Sequence, residues 1–167
     1  MIHYFCPFCW IEVSGDEKNC PHCGGNIEEW DEKSYIEKLI NALNHTERST
    51  VYRVCYILGV KRERAAVKSL IDLLSSTNDY FLMLEIVEAL GKIGDETVVP
   101  SLIKMLSNRS FLVRAETSTV LGNFEEHEEV VEALKRAAND CSQYVRESAK
   151  ASLDKLTTTL RRRRCNG

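Results

Sequence analysis

A leucine-glycine dipeptide recurs along this chain at nearly constant spacing, and this repeat is the strongest constraint on its fold. Leu58-Gly59, Leu90-Gly91 and Leu121-Gly122 are separated by 32 and 31 residues, and Leu153-Asp154 follows 32 residues later. A fixed period of this length is typical of proteins built from stacked copies of one small unit. The sequence therefore predicts a repeat architecture.

Each repeat also carries four apolar or small residues at positions i, i+3, i+4 and i+7, the spacing of one face of an α-helix. No alternation typical of a strand occurs after residue 30. A pair of amphipathic helices buries its apolar face only against the next pair, so the pattern predicts an all-α solenoid. The quartets are Ile36, Leu39, Ile40 and Leu43; Val67, Leu70, Ile71 and Leu74; Val99, Leu102, Ile103 and Leu106; and, more weakly, Val130, Ala133, Leu134 and Ala137.

Signals for helix ends accompany this pattern. Ser34 followed by Glu37 fits a helix capping box. Gly59, Gly91 and Gly122 are expected to end the first helix of each pair in a left-handed conformation, which satisfies the last carbonyls without a steric penalty. We expect helices near residues 34–44, 48–58, 62–75, 80–91, 96–107, 111–122, 126–139 and 143–158.

The first thirty residues lack a helical period and contain a different motif. Cys6 and Cys9 form one C-x2-C pair, and Cys20 and Cys23 form a second pair after ten intervening residues. Four thiolates around Zn²⁺ make a closed structural site that leaves no position for water or substrate. Gly24 is expected to permit the tight turn that aims the second pair. A segment this short cannot bury enough core to fold alone, so we expect metal binding to supply its folding energy.

Alternatives to a zinc site with four cysteine ligands stay open at this point. Tetrahedral thiolates also accept iron, as in a site of the rubredoxin type, and His3 or His22 could replace one cysteine as ligand. Seven cysteines and an N-terminus without secretory features disfavour a disulfide framework and favour a reduced, cytoplasmic setting. Cys55 is expected to pack inside a helix as a small apolar side chain.

The repeats resemble a known family. Residues 90–106, together with Val113-Arg114 and Val145-Arg146, look like the HEAT-like repeats of the phycobilisome lyase type. This resemblance implies a right-handed α–α superhelix, and the cysteine pairs resemble a short zinc ribbon. We expect a ribbon at 1–32, repeats at 33–158 and a basic, disordered tail at 159–167. The family includes chromophore lyases, a metal-dependent hydroxylase, DNA-repair proteins and adaptors, so it implies architecture and no particular chemistry.

Charge separates the two ends of the chain. Residues 1–33 hold seven acidic residues against two lysines, and four thiolates around Zn²⁺ make this segment still more negative, which disfavours nucleic acid as its partner. A nucleic-acid partner bound by the opposite charge stays open as an alternative. This alternative uses the basic tail and the zinc ribbon, and its phosphate contacts would come from the tail and from the basic first helices, through Arg161, Arg162, Arg163, Arg164, Lys61, Arg62, Arg64 and Lys68.

Motifs for catalysis are missing from the sequence. It contains no glycine-rich phosphate loop, no Ser-His-Asp pattern and no spaced pair of carboxylates that would suggest a pocket. The HEAT-like hydroxylase is known to bind two irons through several His-Glu pairs, whereas His127-Glu128 is the one such pair in this chain. We therefore predict that the protein is not an enzyme. His45 is predicted to be a surface residue in a turn.

The predicted function is a non-enzymatic protein-interaction module with a structural zinc site, which binds a protein partner on the concave face of the solenoid and does not bind membranes. A lyase or chaperone for a chromophore stays open on the resemblance alone. Ala149, Leu153 and Leu156 have no evident cover in the sequence, which suggests a homodimer formed through the C-terminal helix. The second helix of each pair is expected to line the concave face, and its candidate partner-binding residues are Ser69, Asp72, Ser101, Lys104, Glu132 and Lys135.

Overall fold

A computed structural model describes the backbone of residues 4–30, 32–125 and 127–165, and the side chains of this set as far as residue 158. The chain divides into two compact units, Met1–Cys55 and Tyr56–Gly167. The elements of the described residues are β1 (Tyr4–Phe5), β2 (Glu12–Val13), α1 (Tyr35–Ala42), α2 (Arg48–Val60), α3 (Val67–Ser76), α4 (Tyr80–Ile93), α5 (Val99–Met105), α6 (Phe111–Leu121), α7 (Glu128–Ala137) and α8 (Gln143–Cys165), with short 3-10 turns at Glu28–Trp30, Arg64–Ala66 and Glu96–Val98.

The fold predicted from the repeat is confirmed, because all eight predicted helices are present and the repeats are helical. The backbone of α8 differs from the expectation at its end: it continues to Cys165, whereas we expected the helix to stop near 158 and a disordered tail to follow. Leucine and arginine are strong helix formers, and basic residues complement the C-terminal end of a helix, which accounts for the extension. The side chains of the four arginines at 161–164 lie outside the described residues.

The Tyr56–Gly167 unit consists of two rows of helices. In one row α4 packs on α6 and α6 on α8; the other row contains α3, α5 and α7. The last three apolar quartets lie between the rows, where Leu70, Val99, Leu102, Val130 and Leu134 have no exposed surface. Full burial of one such side chain contributes roughly 2 kcal/mol, so stacking of the repeats supplies the main stabilisation of this unit.

The left-handed conformation predicted for three glycines is wrong. Gly59 and Gly91 lie inside α2 and α4, and Gly122 caps α6 with an ordinary helical φ of −62°. The left-handed residues stand a few positions later instead. Gly94, with φ 67°, caps α4, and Arg62, with φ 53°, follows α2.

These three glycines are required because the end of α2 and the helices α4, α6 and α8 approach one another closely in sequence order. A Cβ atom at each position would lie under 3 Å from an atom of the next helix in the row, a distance that packed side chains do not reach. The glycine therefore marks the contact between consecutive repeats. The three contacts are Gly59 with Cα of Ala89 at 2.8 Å, Gly91 with Cγ1 of Val120 at 2.7 Å and Gly122 with Oγ of Ser152 at 2.8 Å, each measured from the added Cβ.

The Met1–Cys55 unit combines a small hairpin with α1 and the first part of α2, so the compact unit extends beyond the boundary expected at residue 32. The strands β1 and β2 pair antiparallel. The predicted capping box at the start of α1 is confirmed: the Glu37 N–H donates to Ser34 Oγ at 3.2 Å, and the Ser34 N–H donates to Glu37 Oε2 at 2.9 Å. The side-chain amide of Asn41 in α1 donates to the carbonyl of Pro7, which joins α1 to the first cysteine pair.

Two sequence expectations concern surfaces of the described chain. Ala149 and Leu156 of α8 are 0% and 1% exposed within the chain itself, and Leu153 is partly buried, so the uncovered apolar face that suggested a homodimer is not present. In the described part of the chain, none of the helices has the length and apolar character needed to cross a membrane. Cys55 lies in α2 and is fully buried, as predicted.

Candidate metal centre and partner-binding groove

The two cysteine pairs form loops of the same backbone geometry. In each loop the N–H of the residue after the second cysteine donates to the carbonyl of the first cysteine: Trp10 to Cys6 and Gly24 to Cys20, both at 2.9 Å. The N–H of each first cysteine is in turn satisfied by a carbonyl five residues later, Ile11 for Cys6 and Gly25 for Cys20, also at 2.9 Å. The spacing of each pair thus fixes a closed loop that presents two sulfurs on one side.

A left-handed residue completes each loop. Gly24 has φ 72°, as its predicted turn requires, and Trp10 occupies the equivalent position of the first loop with φ 61°. A bulky side chain in this region costs roughly 1–2 kcal/mol. The ring of Trp10 lies 4.2 Å from that of His45, and the Nδ1 atom of His45 accepts a hydrogen bond from the Glu47 N–H at 2.8 Å. His45 is therefore a packing partner of the first loop rather than the simple surface residue that we predicted.

The four sulfurs lie close enough to share one metal ion. The Sγ atoms of Cys6, Cys9, Cys20 and Cys23 are all within 4.8 Å of one another, and the Cys6–Cys23 and Cys9–Cys20 distances are both 3.7 Å. A tetrahedral ion with bonds of about 2.3 Å to sulfur requires sulfurs about 3.8 Å apart. The four cysteines predicted from the sequence therefore form one cluster whose dimensions fit a tetrahedral metal ion.

The protons of these thiols are unequally held. Burial disfavours the Cys20 thiolate, but hydrogen bonds from the backbone N–H groups of Cys23 and His22 and from neighbouring thiols outweigh it and lower the pKa of Cys20 to about 6. At Cys9 the Ile11 N–H favours the thiolate, yet burial and the other thiols raise the pKa to about 12. Cysteine binds a metal as the thiolate, so a divalent cation that binds to this cluster displaces the remaining thiol protons.

Of the two other candidate ligands, only His22 belongs to the described residues, and it is not part of the cluster. His22 is exposed, and His3 lies outside the described residues. Among the residues that the structure describes, no second group of three or more histidine, cysteine or carboxylate ligands lies within reach of one ion. His127 instead contacts a carboxylate, with its Nε2 atom 2.8 Å from Oε2 of Glu96.

A wide groove of about 1030 Å³ runs along the α4–α6–α8 row. Among the described residues, its lining carries both charges, with four basic residues and three acidic ones: Arg62, Arg64, Lys92, Lys155, Glu88, Glu116 and Glu147. Lys92 lies 2.7 Å from Glu88, and Arg64 lies 4.0 Å from Asp95. Such a surface offers hydrogen-bond donors and acceptors of both signs to an extended polar ligand.

Glu116 of α6 lies near the middle of the groove wall. Burial raises the pKa of its carboxyl above the ordinary value, the negative charge of Glu88 adds to this effect, and Lys92 opposes it. A carboxylate that is partly buried beside a second carboxylate gains stability when a cation approaches it. The groove is therefore suited to a ligand that brings a basic group to Glu116.

The six predicted partner-binding residues do not line this groove, because α3, α5 and α7 form the opposite row. Lys104 lines a smaller cleft of about 380 Å³ between α5 and α7, and Glu132 and Lys135 form a salt bridge of 2.7 Å on the surface of α7. Ser69 and Ser101 are partly buried, and Asp72 is exposed. The glycine that recurs in the first helix of each pair is the sequence feature that indicates the α4–α6–α8 row, because it allows the first helices of consecutive pairs to pack closely.

Comparison with known proteins identifies the repeats. A sequence profile described as HEAT repeats matches residues 36–117 and 84–154. The deoxyhypusine hydroxylases of Phaeosphaeria nodorum and Aspergillus fumigatus are each 38% identical to the chain over 72 residues, which is 42% of this chain and 22% of each enzyme. The chain thus matches about a fifth of the length of these curated relatives.

A solved structure shares the fold. The complex of CpcE and CpcF of phycocyanin lyase from Nostoc sp. PCC7120 superimposes with a TM-score of 0.55 at 21% identity, covering 87% of this chain and 71% of that chain. At this identity the likeness concerns the arrangement of the helices alone.

Proposed function

The chain belongs to the HEAT-repeat family, and from this membership we propose that it is a non-enzymatic interaction module that holds a segment of a protein partner in the groove along α4, α6 and α8. The observation that carries the proposal is the groove itself, about 1030 Å³ in volume and lined by residues of α4, α6 and α8. A groove of this size that is lined by both charges accommodates an extended peptide segment with several side chains.

The partner segment carries a basic residue opposite Glu116. The raised pKa of Glu116 has two sources, burial and the neighbouring Glu88, and a lysine or arginine from the partner relieves the electrostatic part of this cost. Arg62 and Arg64, which line the same groove beside α4, are suited to an acidic residue of the partner. Complementary charges at these two separate positions along the groove would fix the direction of the bound segment.

The cysteine centre has a structural role in this proposal and holds Zn²⁺. Cys6, Cys9, Cys20 and Cys23 would be its ligands, and four protein ligands leave no coordination position for a reacting molecule. The ion stabilises the short segment that carries the hairpin, and it supplies no chemistry to the groove.

Site-specific crosslinking in the source cells tests the groove. A photo-crosslinking amino acid at Thr119, an exposed groove residue on α6, is expected to capture a discrete protein. The same amino acid at Asp72, exposed on α3 in the opposite row, is the matched control and should capture much less. The product at Thr119 should also be lost when Glu116→Lys reverses the charge of the groove wall.

Two results would reject the proposal. One is a Thr119 crosslink to nucleic acid in place of protein. The other is a set of crosslinked proteins that is the same from Thr119 and Asp72 and is indifferent to Glu116→Lys.

A further inference from the structure

Large apolar side chains are exposed at the beginning of α4, α6 and α8, the three helices of one row. Each of them is the first or second residue of its helix, and they recur with the 31- and 32-residue period of the repeats. We call this set the aromatic edge. Its members are Tyr80 and Phe81 of α4, Phe111 and Leu112 of α6, and Tyr144 of α8, which are 45%, 68%, 46%, 38% and 56% exposed.

Two members of the aromatic edge meet across a repeat boundary. The rings of Phe111 and Tyr144 meet edge to face with their centroids 6.3 Å apart. Single exposed apolar side chains are ordinary on protein surfaces, but a contiguous set is typical of an interaction site. Aromatic side chains are also the residues most enriched at the centres of protein interfaces.

Helix formation does not explain these residues. Acidic side chains are the favourable choice in the first turn of a helix, because they complement its dipole, yet α4 and α6 carry none there. Asp79 already caps α4 by accepting hydrogen bonds from the N–H groups of Phe81 and Leu82. The side chains of the edge therefore point to a contact with another molecule.

The surface beside the edge is positively charged. The cleft of about 380 Å³ between α5 and α7 is lined by Lys104 and Arg136, and its lining ends four residues before Phe111 and Tyr144, at Ser107 and Asp140. The carboxylate of Asp140 is already engaged by a guanidinium at 2.8 Å. Lys104 and Arg136 are exposed, and so is Arg109, two positions before Phe111.

From this combination we propose that the aromatic edge and its basic cleft dock an acidic protein segment that carries apolar side chains. Apolar residues of the segment cover Phe111 and Tyr144, and its carboxylates reach Lys104 and Arg136. This surface shares no lining residue with the groove along α4, α6 and α8, so it is a second site beyond the proposed function.

A displayed library of random peptides, selected on the full-length chain, tests the chemistry of the ligand. The enriched peptides are expected to combine aspartate or glutamate with leucine, phenylalanine or tryptophan. A labelled synthetic copy of an enriched peptide then gives a dissociation constant by fluorescence anisotropy. Its binding should weaken as salt is added, because part of the attraction is electrostatic.

Variants locate the binding surface. The double substitutions Phe111→Ser with Tyr144→Ser, and Lys104→Glu with Arg136→Glu, should each weaken binding at least about tenfold. All four side chains are exposed, and the circular dichroism of each variant reports whether it has folded. Tyr56→Ser is the matched control, because Tyr56 is an aromatic residue of α2 with 55% exposure that lies outside the edge, and it should leave the affinity unchanged.

Three outcomes overturn the proposal. Enriched peptides that are basic or uncharged exclude an acidic partner. Binding that survives both double substitutions places the site elsewhere. A dimer of the chain in sedimentation that dissociates on Phe111→Ser with Tyr144→Ser shows that a second copy covers the edge. None of these results affects crosslinking at Thr119, so they leave the groove proposal standing.

Discussion

Arg114 and Asp140 form a two-pronged ion pair between consecutive repeats, with Nε 2.8 Å from Oδ2 and Nη2 2.8 Å from Oδ1. The third nitrogen of the guanidinium, Nη1, donates to the carbonyls of Asn108 and Arg109 at 2.9 and 3.2 Å. The side chains of the pair are only 12% and 14% exposed. One arginine therefore fixes the loop before its own helix α6 and the loop before α8.

This ion pair predicts a loss of stability in acid. The hydrogen bond from Arg114 is the main cause that lowers the pKa of Asp140 from 3.8 to about 2, against the opposing effect of burial. Because the folded-state pKa is the lower one, the stabilisation is present above pH 4 and disappears as the pH falls through 2. Urea unfolding should show a decrease of about 2 kcal/mol over this range.

The control for this acid effect is Asp140→Asn, measured with a chelator present throughout so that metal release does not contribute. The variant should lose this part of the pH dependence and be less stable at neutral pH. An unchanged dependence between pH 4 and 2 would show that the pair does not stabilise the fold.

A matched pair of arginines separates the carboxylate contact from the carbonyl contacts. Arg146 stands 32 residues after Arg114 and repeats the carbonyl contacts, with Nη1 2.8 Å from the carbonyl oxygen of Asp140 and 3.0 Å from that of Cys141. It contacts no carboxylate among the described residues. We expect Arg114→Ala to lower the free energy of unfolding by about 3 kcal/mol and Arg146→Ala by about 1 kcal/mol. Equal losses in urea unfolding would contradict this assignment.

The close contact between α4 and α6 predicts an unusual response to alanine. In an isolated helix, replacing glycine by alanine gains about 1 kcal/mol. Gly91→Ala should instead destabilise the protein by about 1–3 kcal/mol, because the new Cβ would lie 2.7 Å from Cγ1 of Val120. Thermal unfolding of Gly91→Ala in a Val120→Ala background is the test, since truncation of Val120 removes the clash. A cost that is the same in both backgrounds would exclude this contact as its cause.

The period and the cysteine spacing made most of the fold predictable. Apolar quartets at helical spacing fix which residues are buried, and Leu70, Leu102 and Leu134 lie in the core accordingly. The C-x2-C spacing fixes which sulfurs can meet, so the cluster of Cys6, Cys9, Cys20 and Cys23 followed from local chain geometry. These features depend on residues close in sequence, which a pattern reports directly.

The remaining features depend on packing between elements and were not predictable in the same way. Glycine favours both a left-handed cap and a close helix contact, and the sequence does not distinguish Gly91 from Gly94 in these roles. Which of the two rows of helices lines the groove depends on how closely the helices within each row approach one another. The left-handed Trp10 had no sequence signal except its position after a C-x2-C pair, where the second loop has Gly24.

Metal content provides the last prediction. Freshly prepared protein should contain one tightly held zinc ion by elemental analysis, because the four sulfurs have the spacing of a tetrahedral site. Cys20→Ser removes one of the four sulfur ligands, so it should abolish metal retention and make residues 4–30 sensitive to protease. The helical circular dichroism of the repeats should persist, because their core lies between helices.

Cys141→Ser is the matched control: Cys141 is exposed and remote in sequence from the cluster, and its loss should leave the metal in place. Iron in place of zinc would change the identity of the ion and keep the four ligands, whereas full metal retention in Cys20→Ser would contradict the assignment of the site itself.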